Sequence, residues 1–284
     1  MKLTHIVKRE ARLLSILRQE LGLSSTLVKR MKFRHAYLVN GQPQFTNYIV
    51  RPGDLVEVCL DEDRPVYPAE EGPLSILYED EGLIAIDKPA GILMHPSSSR
   101  NTGTLANYLL SYYDRTNQHC AVHPVSRLDR DTFGVVLFAK NSHVHAKMHR
   151  LQKEGKIEKI YRAAVTGGPE KDEGLIDAPI ARLSPTGMLR GVREDGSPAR
   201  TRYKVLERRE DRSLLELQPL TGRTHQLRVH CAYSGFPIAG DPQYGKDGFG
   251  LPYQQLCACS LRFSHPMTGK DVEICTKQSV SLDF

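Results

Sequence analysis

Beyond residue 73 this chain spells out strands that outnumber its helices and do not alternate with them. Strand-like runs cover 75–78, 83–87, 135–139, 159–165, 201–206, 214–219, 258–263 and 272–275, whereas helical periodicity marks 104–113 and, more strongly, 141–154. Because the strands outnumber the helices and do not alternate with them, an α+β fold is expected rather than a doubly wound parallel sheet. Residues 74–284 are long enough to bury one sizeable core.

Within this frame the stretch 124–141 carries the most chemistry. A polar run, Ser126 to Thr132, alternates two arginines with two aspartates, passes Gly134 and enters the apolar run 135–139, a buried strand by pattern. A loop docked on a buried strand is held rigidly, which suits a catalytic carboxylate. Taken alone, an Arg/Asp turn before a core strand is a solvated turn. Two further segments stand apart in the same way: Lys159-Ile160-Tyr161-Arg162 and Thr221-Gly222-Arg223-Thr224-His225-Gln226-Leu227-Arg228-Val229-His230. A lone tyrosine in a strand is ordinarily a core residue, and a lone helical arginine is ordinarily a surface charge.

Their combination changes the reading. Arg127-Leu128-Asp129-Arg130-Asp131-Thr132 followed by Gly134 resembles the catalytic motif of the RluA-type pseudouridine synthases. The resemblance implies that Asp129 is the catalytic residue, with Arg127 beside it on the substrate side. Lys159-x-Tyr161 resembles the family segment whose tyrosine stacks on the target base, as extruded bases are commonly held. The His225-Gln226-Leu227-Arg228 run resembles the later motif whose arginine pairs with the aspartate, so the implied catalytic set is Asp129, Tyr161 and Arg228, with Arg223 and His225 near the substrate. The run opens an amphipathic helix (Leu227, Val229), for which Thr224 is a candidate cap. Asp87-Lys88-Pro89-Ala90-Gly91 and Ser260-Leu261-Arg262-Phe263 match two further motifs and add Lys88 and Leu261 to the implied substrate site. The motifs run in family order across nearly all of 74–284, and imply a large mixed, mainly antiparallel sheet flanked by helices and loops. Ser126 stands where many members have histidine, and Phe133, large beside the turn, where serine is usual.

Charge points to the partner. Of 39 basic and 33 acidic residues, 10 and 4 lie in residues 1–58, leaving 29 of each elsewhere, so this segment carries the whole excess of +6. Such concentration favours a polyanion, because each neutralised phosphate releases counterions. Residues 9–22 place Leu13, Leu14, Ile16, Leu17 and Leu21 at helical spacing, and Ser24 or Ser25 can cap a second helix through about Phe33. That helix displays Lys29, Arg30, Lys32 and Arg34. Asn40-Gly41 signals a tight hairpin, and Pro52-Gly53-Asp54 turns the chain into a strand over 55–60. Two helices, a hairpin and a strand resemble the αL RNA-binding module of the ribosomal S-four type. Residues 1–60 are expected to be that module, 61–73 an acidic, proline-rich linker whose charge keeps it off nucleic acid, and 74–284 the catalytic domain.

The resemblance therefore implies an RNA-modifying isomerase that needs no redox cofactor and no metal. Its expected partner is structured RNA, ribosomal RNA of the large subunit first and transfer RNA second, with the protein acting as a monomer. A catalytically silent ribosome-assembly factor on the same scaffold is the rival from another class, opposed by the intact Asp129, Tyr161 and Arg228. An aspartate-based hydrolase of small molecules has no use for the basic amino-terminal segment. His145 and His149 lie one helical turn apart, but no glutamate follows His145 and the helix is rich in lysine and arginine, which argues against a metal. No run approaches 18 consecutive apolar residues, the amino terminus lacks a signal-peptide core, and the six cysteines form no CxxC pair. A cytoplasmic protein with reduced thiols and no membrane segment is expected.

Overall fold

The strand Phe133–Ala139 has an unbroken apolar run because its side chains are claimed on both faces. Val135, Leu137 and Ala139 join one cluster with Leu83, Val144 and Met148, while Val136 and Phe138 join another with Ile84, Ile86, Leu105 and Leu109. Each such side chain contributes about 1.5–3 kcal/mol on burial. A computed structural model describes residues 1–32, 36–60, 65–97, 100–245 and 250–284. Among these, ten strands form one sheet, in the order Glu173–Asp177, Arg200–Arg208, Arg212–Pro219, Ile157–Thr166, Leu256–Ser264, Phe133–Ala139, Leu83–Lys88 and Ile76–Glu79. Asp271–Cys275 pairs with Leu256–Ser264, and His123–Pro124 with Phe133–Ala139. All pairings in this sheet are antiparallel except that of Phe133–Ala139 with Leu256–Ser264. The fold is α+β with a mixed, mainly antiparallel sheet.

Three helices cover the sheet. Leu105–Arg115, with a capping box between Thr104 and Asn107, lies against Ile84, Ile86, Val136 and Phe138. Ser142–Lys153, capped by the Asn141 side chain on the Val144 N–H, covers the opposite face. Gln226–Tyr233 packs Leu227 and Cys231 against Ala163, Val165, Leu215 and Leu217.

The amino-terminal residues carry their own core of Leu3, Val7, Leu13, Leu17, Val28, Tyr37, Val56 and Val58. Ser25–Lys32 is helical, and Ser24 accepts the Leu27 N–H through its hydroxyl at 3.1 Å. At the hairpin between Tyr37–Val39 and Gln42–Pro43, Asn40 and Gly41 both adopt positive φ (51° and 78°), as a tight primed turn requires. The single helix expected over 9–22 is not what forms. Ala11–Arg12 is a short strand, Leu13–Ser15 one α-turn, and Ile16–Glu20 a π-helix in which Leu21 N–H reaches Ile16 C=O. The wider turn lets Leu13, Ile16 and Leu17 all reach the core while Leu14 stays out. Lys2–Ile6, not anticipated, is a strand paired with Leu55–Cys59.

Of the expected linker, 61–64 lie outside the described residues, and of the remainder, largely exposed, only a part is docked. Pro68 C=O accepts from Asn107 Nδ2 at 2.8 Å, and Tyr67 packs against the cluster beneath helix Leu105–Arg115. Among the described residues no helix is long and apolar enough to cross a membrane.

Candidate active site

The loop bearing Asp129 is pinned from below. Lys88, with 0% of its surface exposed, donates through its ammonium to the carbonyls of Arg130 (2.7 Å), Thr132 (2.8 Å) and Pro89 (3.0 Å). Burial pulls this ammonium down, to about 7, against the opposing charges of Asp131 and Asp129. Expected near substrate, Lys88 instead lies wholly under the loop and shapes it. Gln254 Nε2 donates to Thr132 Oγ1 at 2.6 Å, and Arg130 and Asp131 pair with each other at the tip. Ser126 is structural: its buried hydroxyl accepts the Leu137 N–H at 3.2 Å. Phe133 packs against Ala164, Cys257, Val280 and Leu282, a cluster that contains none of the site residues. Gly134 sits at φ +106°, where a Cβ would lie 2.3 Å from Ala258 C=O. Only glycine lets the two parallel strands meet there.

Arg228 reaches Asp129 from the other side, Nη1 to Oδ2 at 3.1 Å, with 5% and 30% of the side chains exposed. The same guanidinium makes a closer, forked pair with Asp241, Nε to Oδ2 at 2.7 Å and Nη2 to Oδ1 at 2.8 Å, and Nη2 also donates to Gln243 Oε1. The Asp241 side chain is 0% exposed. Burial works to raise its pKa, but the Arg228 hydrogen bonds and charge, with the N–H groups of Gln243 and Tyr244, outweigh it and hold the carboxyl below its ordinary range. Arg228 is thus fixed by Asp241 and presents one free corner to Asp129.

The helix start was misjudged from sequence. Thr224 is exposed and does not cap; His225 occupies the N-cap in the left-handed region (φ 56°), and Gln226 Oε1 accepts from Thr221 Oγ1 and the Arg223 N–H. Nor is the helix amphipathic, since Gln226 through Cys231 are all buried. His225 Nδ1 contacts Tyr244 Oη at 2.8 Å, while Nε2 stands 3.9 Å from Asp129 Oδ1. Burial pushes this imidazole down and Arg228 adds to the effect, while Asp129 opposes it. At neutral pH His225 is a neutral ring beside the carboxylate, held by Tyr244, whose ring also lies under Arg228.

Tyr161 lies on Ile157–Thr166 opposite Ala258, the residue that meets Gly134 from the other side. Its pKa is raised, by burial first and then by the charge of Asp129. Between Ile160 and Tyr161 the partner strand carries one extra residue, Cys259, so Leu261 and Ala258 fall on the face shared by Lys159 and Tyr161. Leu261 is buried among Val125, Val135 and Phe263. Arg127 is exposed on the Asp129 loop, and among the described residues it has no hydrogen-bond or ion-pair partner. Arg223 is exposed and donates Nε to Pro198 C=O at 3.0 Å.

A family model described as RNA pseudouridylate synthase matches residues 82–233. The chain belongs to that family. Asp129, Tyr161 and Arg228 all fall inside the match, whereas Asp241 lies beyond it. The synthase is 38% identical to the uncharacterized RNA pseudouridine synthase YjbO of Bacillus subtilis over 256 residues, covering 89% of this chain and 90% of the relative. It is 40% identical to ribosomal large subunit pseudouridine synthase D of Nitrosomonas europaea, covering 74% of this chain and 63% of that one. Among solved structures, human RNA pseudouridylate synthase domain containing 1 superposes with a TM-score of 0.62 at 28% identity, over 74% of this chain and 86% of that one. The enzyme is an isomerase acting on RNA.

Sequence reasoning missed Asp241, Gln243 and Tyr244. Gly240-Asp241-Pro242 reads as a turn, which it is, since Asp241 Oδ1 accepts from the N–H groups of Gln243 and Tyr244. Nothing local discloses the second use of that carboxylate. Of the amino-terminal cations, Lys29 and Lys32 are exposed on Ser25–Lys32. Arg30 is exposed too, but donates to Ser142 Oγ at 2.9 Å, towards the catalytic body. Arg34 lies outside the described residues.

Proposed function

We propose that this synthase isomerises uridine in structured large-subunit ribosomal RNA, with Asp129 as the catalytic carboxylate, Tyr161 as the platform for the extruded base and Arg228 as the counter-cation. The observation that carries the reading is the 3.1 Å approach of Arg228 to Asp129, with Tyr161 placed across Ala258 from Gly134 at the end of the Asp129 loop. In the reaction the bond from ribose C1′ to uracil N1 breaks and one from C1′ to C5 forms. A proton leaves C5 and N1 gains one, so no atom is gained or lost overall. A partly exposed carboxylate serves each route to that outcome: attack on the sugar, attack on the base, or removal of a sugar proton. Leu261 and the loop residues Arg127, Arg223 and His225 complete the nucleotide's surroundings, and Lys88 holds the loop.

The substrate class follows from charge and kinship. Relatives named as large-subunit ribosomal enzymes match over most of this chain. The basic excess sits in residues 1–60, which we read as the RNA-binding unit, with 74–284 as the catalytic one. The test is to map carbodiimide-adduct reverse-transcription stops in total RNA from cells with and without this gene. Stops lost from large-subunit ribosomal RNA support the proposal, loss from transfer RNA alone transfers it there, and unchanged stops favour a silent factor.

Lys29 and Lys32, one helical turn apart, are the exposed cations of that unit best placed for phosphate. Replacing both with alanine is expected to lower the slope of log affinity against log salt by about 1–2 while leaving Tm unchanged. This variant is preferred to deleting residues 1–60, because Met267 packs against both the amino-terminal core and the main sheet and would be uncovered. An unchanged salt slope would remove this helix from the RNA interface.

A further inference from the structure

Beside the site runs a groove of about 640 Å³, between the end of helix Ser142–Lys153 and the segment Pro219–Gly222. Lys159 and Phe263 line it, and Arg200 stands on its wall. Lys159 lies two residues along the strand from Tyr161 on the same face, which brings one end of the groove to within two residues of the base platform. The other charges there are occupied. Lys156 pairs with Glu154, Arg262 with Glu273, Glu158 accepts from Gln218, and Asp271 accepts from Ser264. Lys159 differs. Half-buried, it has no hydrogen-bond or ion-pair partner among the described residues, and burial pushes its pKa down with no counter-charge to oppose it. The Arg200 guanidinium likewise has no such partner among them. A desolvated ammonium without an acceptor costs stability unless a ligand supplies one.

We propose that Lys159 binds a backbone phosphate of the RNA next to the target uridine, and that the groove beyond it, past Arg200, carries the strand on that side of the extruded base. This rests on the reading of the neighbouring site as the isomerising one. A single-stranded RNA fits the chemistry: Lys159, an unpaired cation near the platform, meets one phosphate, and Arg200, two strands away across Arg212–Pro219, stands further out on the groove where the chain continues. Extruding a base displaces its two flanking phosphates, and an ammonium beside the base platform would hold one of them in the displaced position.

The test compares the full-length enzyme with Lys159→Met, which keeps the stem, and Lys159→Arg, which keeps the charge, on a stem-loop that the parent converts. Lys159→Met is expected to raise KM about tenfold, with a smaller change in kcat, and to lower the slope of log kcat/KM against log salt by about 0.7–1. Lys159→Arg should restore most of the loss, and Tm of the methionine variant should equal or exceed the parent's, since an unpaired desolvated charge is removed. A methylphosphonate scanned through the linkages flanking the target should reproduce the defect at one linkage, where combination with Lys159→Met adds nothing. Unchanged KM and salt slope, or a loss confined to kcat, would overturn the assignment. A fall in Tm without rescue by arginine would also overturn it, marking Lys159 as structural. If the parent itself forms no pseudouridine in any RNA, the functional reading fails instead.

Discussion

Asp129→Asn is expected to lower kcat by on the order of 10⁴-fold or more while RNA binding and Tm stay close to the parent's. The size of the loss is that seen when a reacting group is removed from an otherwise intact site. Asparagine keeps the shape, and its side-chain oxygen can still accept from Arg228 Nη1, which today lies 3.1 Å from Asp129 Oδ2. Arg228 also retains its forked pair with Asp241, so no buried cation is orphaned. The Asp129 side chain is 30% exposed, where a single ion pair is worth roughly 0–1 kcal/mol. The loop does not depend on this carboxylate either, because Lys88, Gln254 and the Ser126–Leu137 bonds hold it. Single-turnover conversion and a melting curve on the same preparation decide the matter. Turnover within tenfold of the parent would take the reaction away from Asp129.

Much of the sheet was legible because its strands obey local rules. Runs read at 83–87, 159–165 and 214–219 became Leu83–Lys88, Ile157–Thr166 and Arg212–Pro219, each longer by a residue or more at its ends. Ladder pairing extends a strand past its apolar stretch, as in Glu158↔Arg262, where both partners are polar. What escaped was structure made by pairing rather than pattern. Lys2–Ile6 buries only Leu3 and exists because Leu55–Cys59 lies alongside it. Ile180–Arg182 and Arg190–Val192 are three-residue strands that no periodicity discloses. The site divides in the same way. Asp129, Tyr161 and Arg228 stood out through motif resemblance, and the structure brings them together although 99 residues separate Asp129 from Arg228. The carboxylate that fixes Arg228 was invisible because a short Gly-Asp-Pro turn already explains an aspartate.

That hidden carboxylate makes Arg228→Ala the variant with the largest structural cost. Removing the guanidinium leaves Asp241 with 0% exposure and no cation, and an uncompensated buried charge costs about 3–5 kcal/mol. For a chain of this size Tm is expected to fall by about 10 °C. Activity should vanish as well, since Asp129 loses the donor on its Oδ2. The pH dependence identifies the cause. In the parent, Arg228 holds the Asp241 carboxyl below its unfolded value, so its contribution to stability is present above the unfolded pKa and is lost as pH falls through the folded one. Without Arg228, burial dominates and Asp241 titrates above its unfolded value, so the variant loses stability as pH rises. The gap in Tm between parent and variant should therefore be narrow near pH 4 and widen towards pH 7. Arg228→Met combined with Asp241→Asn removes both charges from the same pocket and should recover several degrees of Tm without recovering turnover. A gap in Tm that does not change with pH would mean that lost packing, and not the stranded Asp241 charge, destabilises the variant.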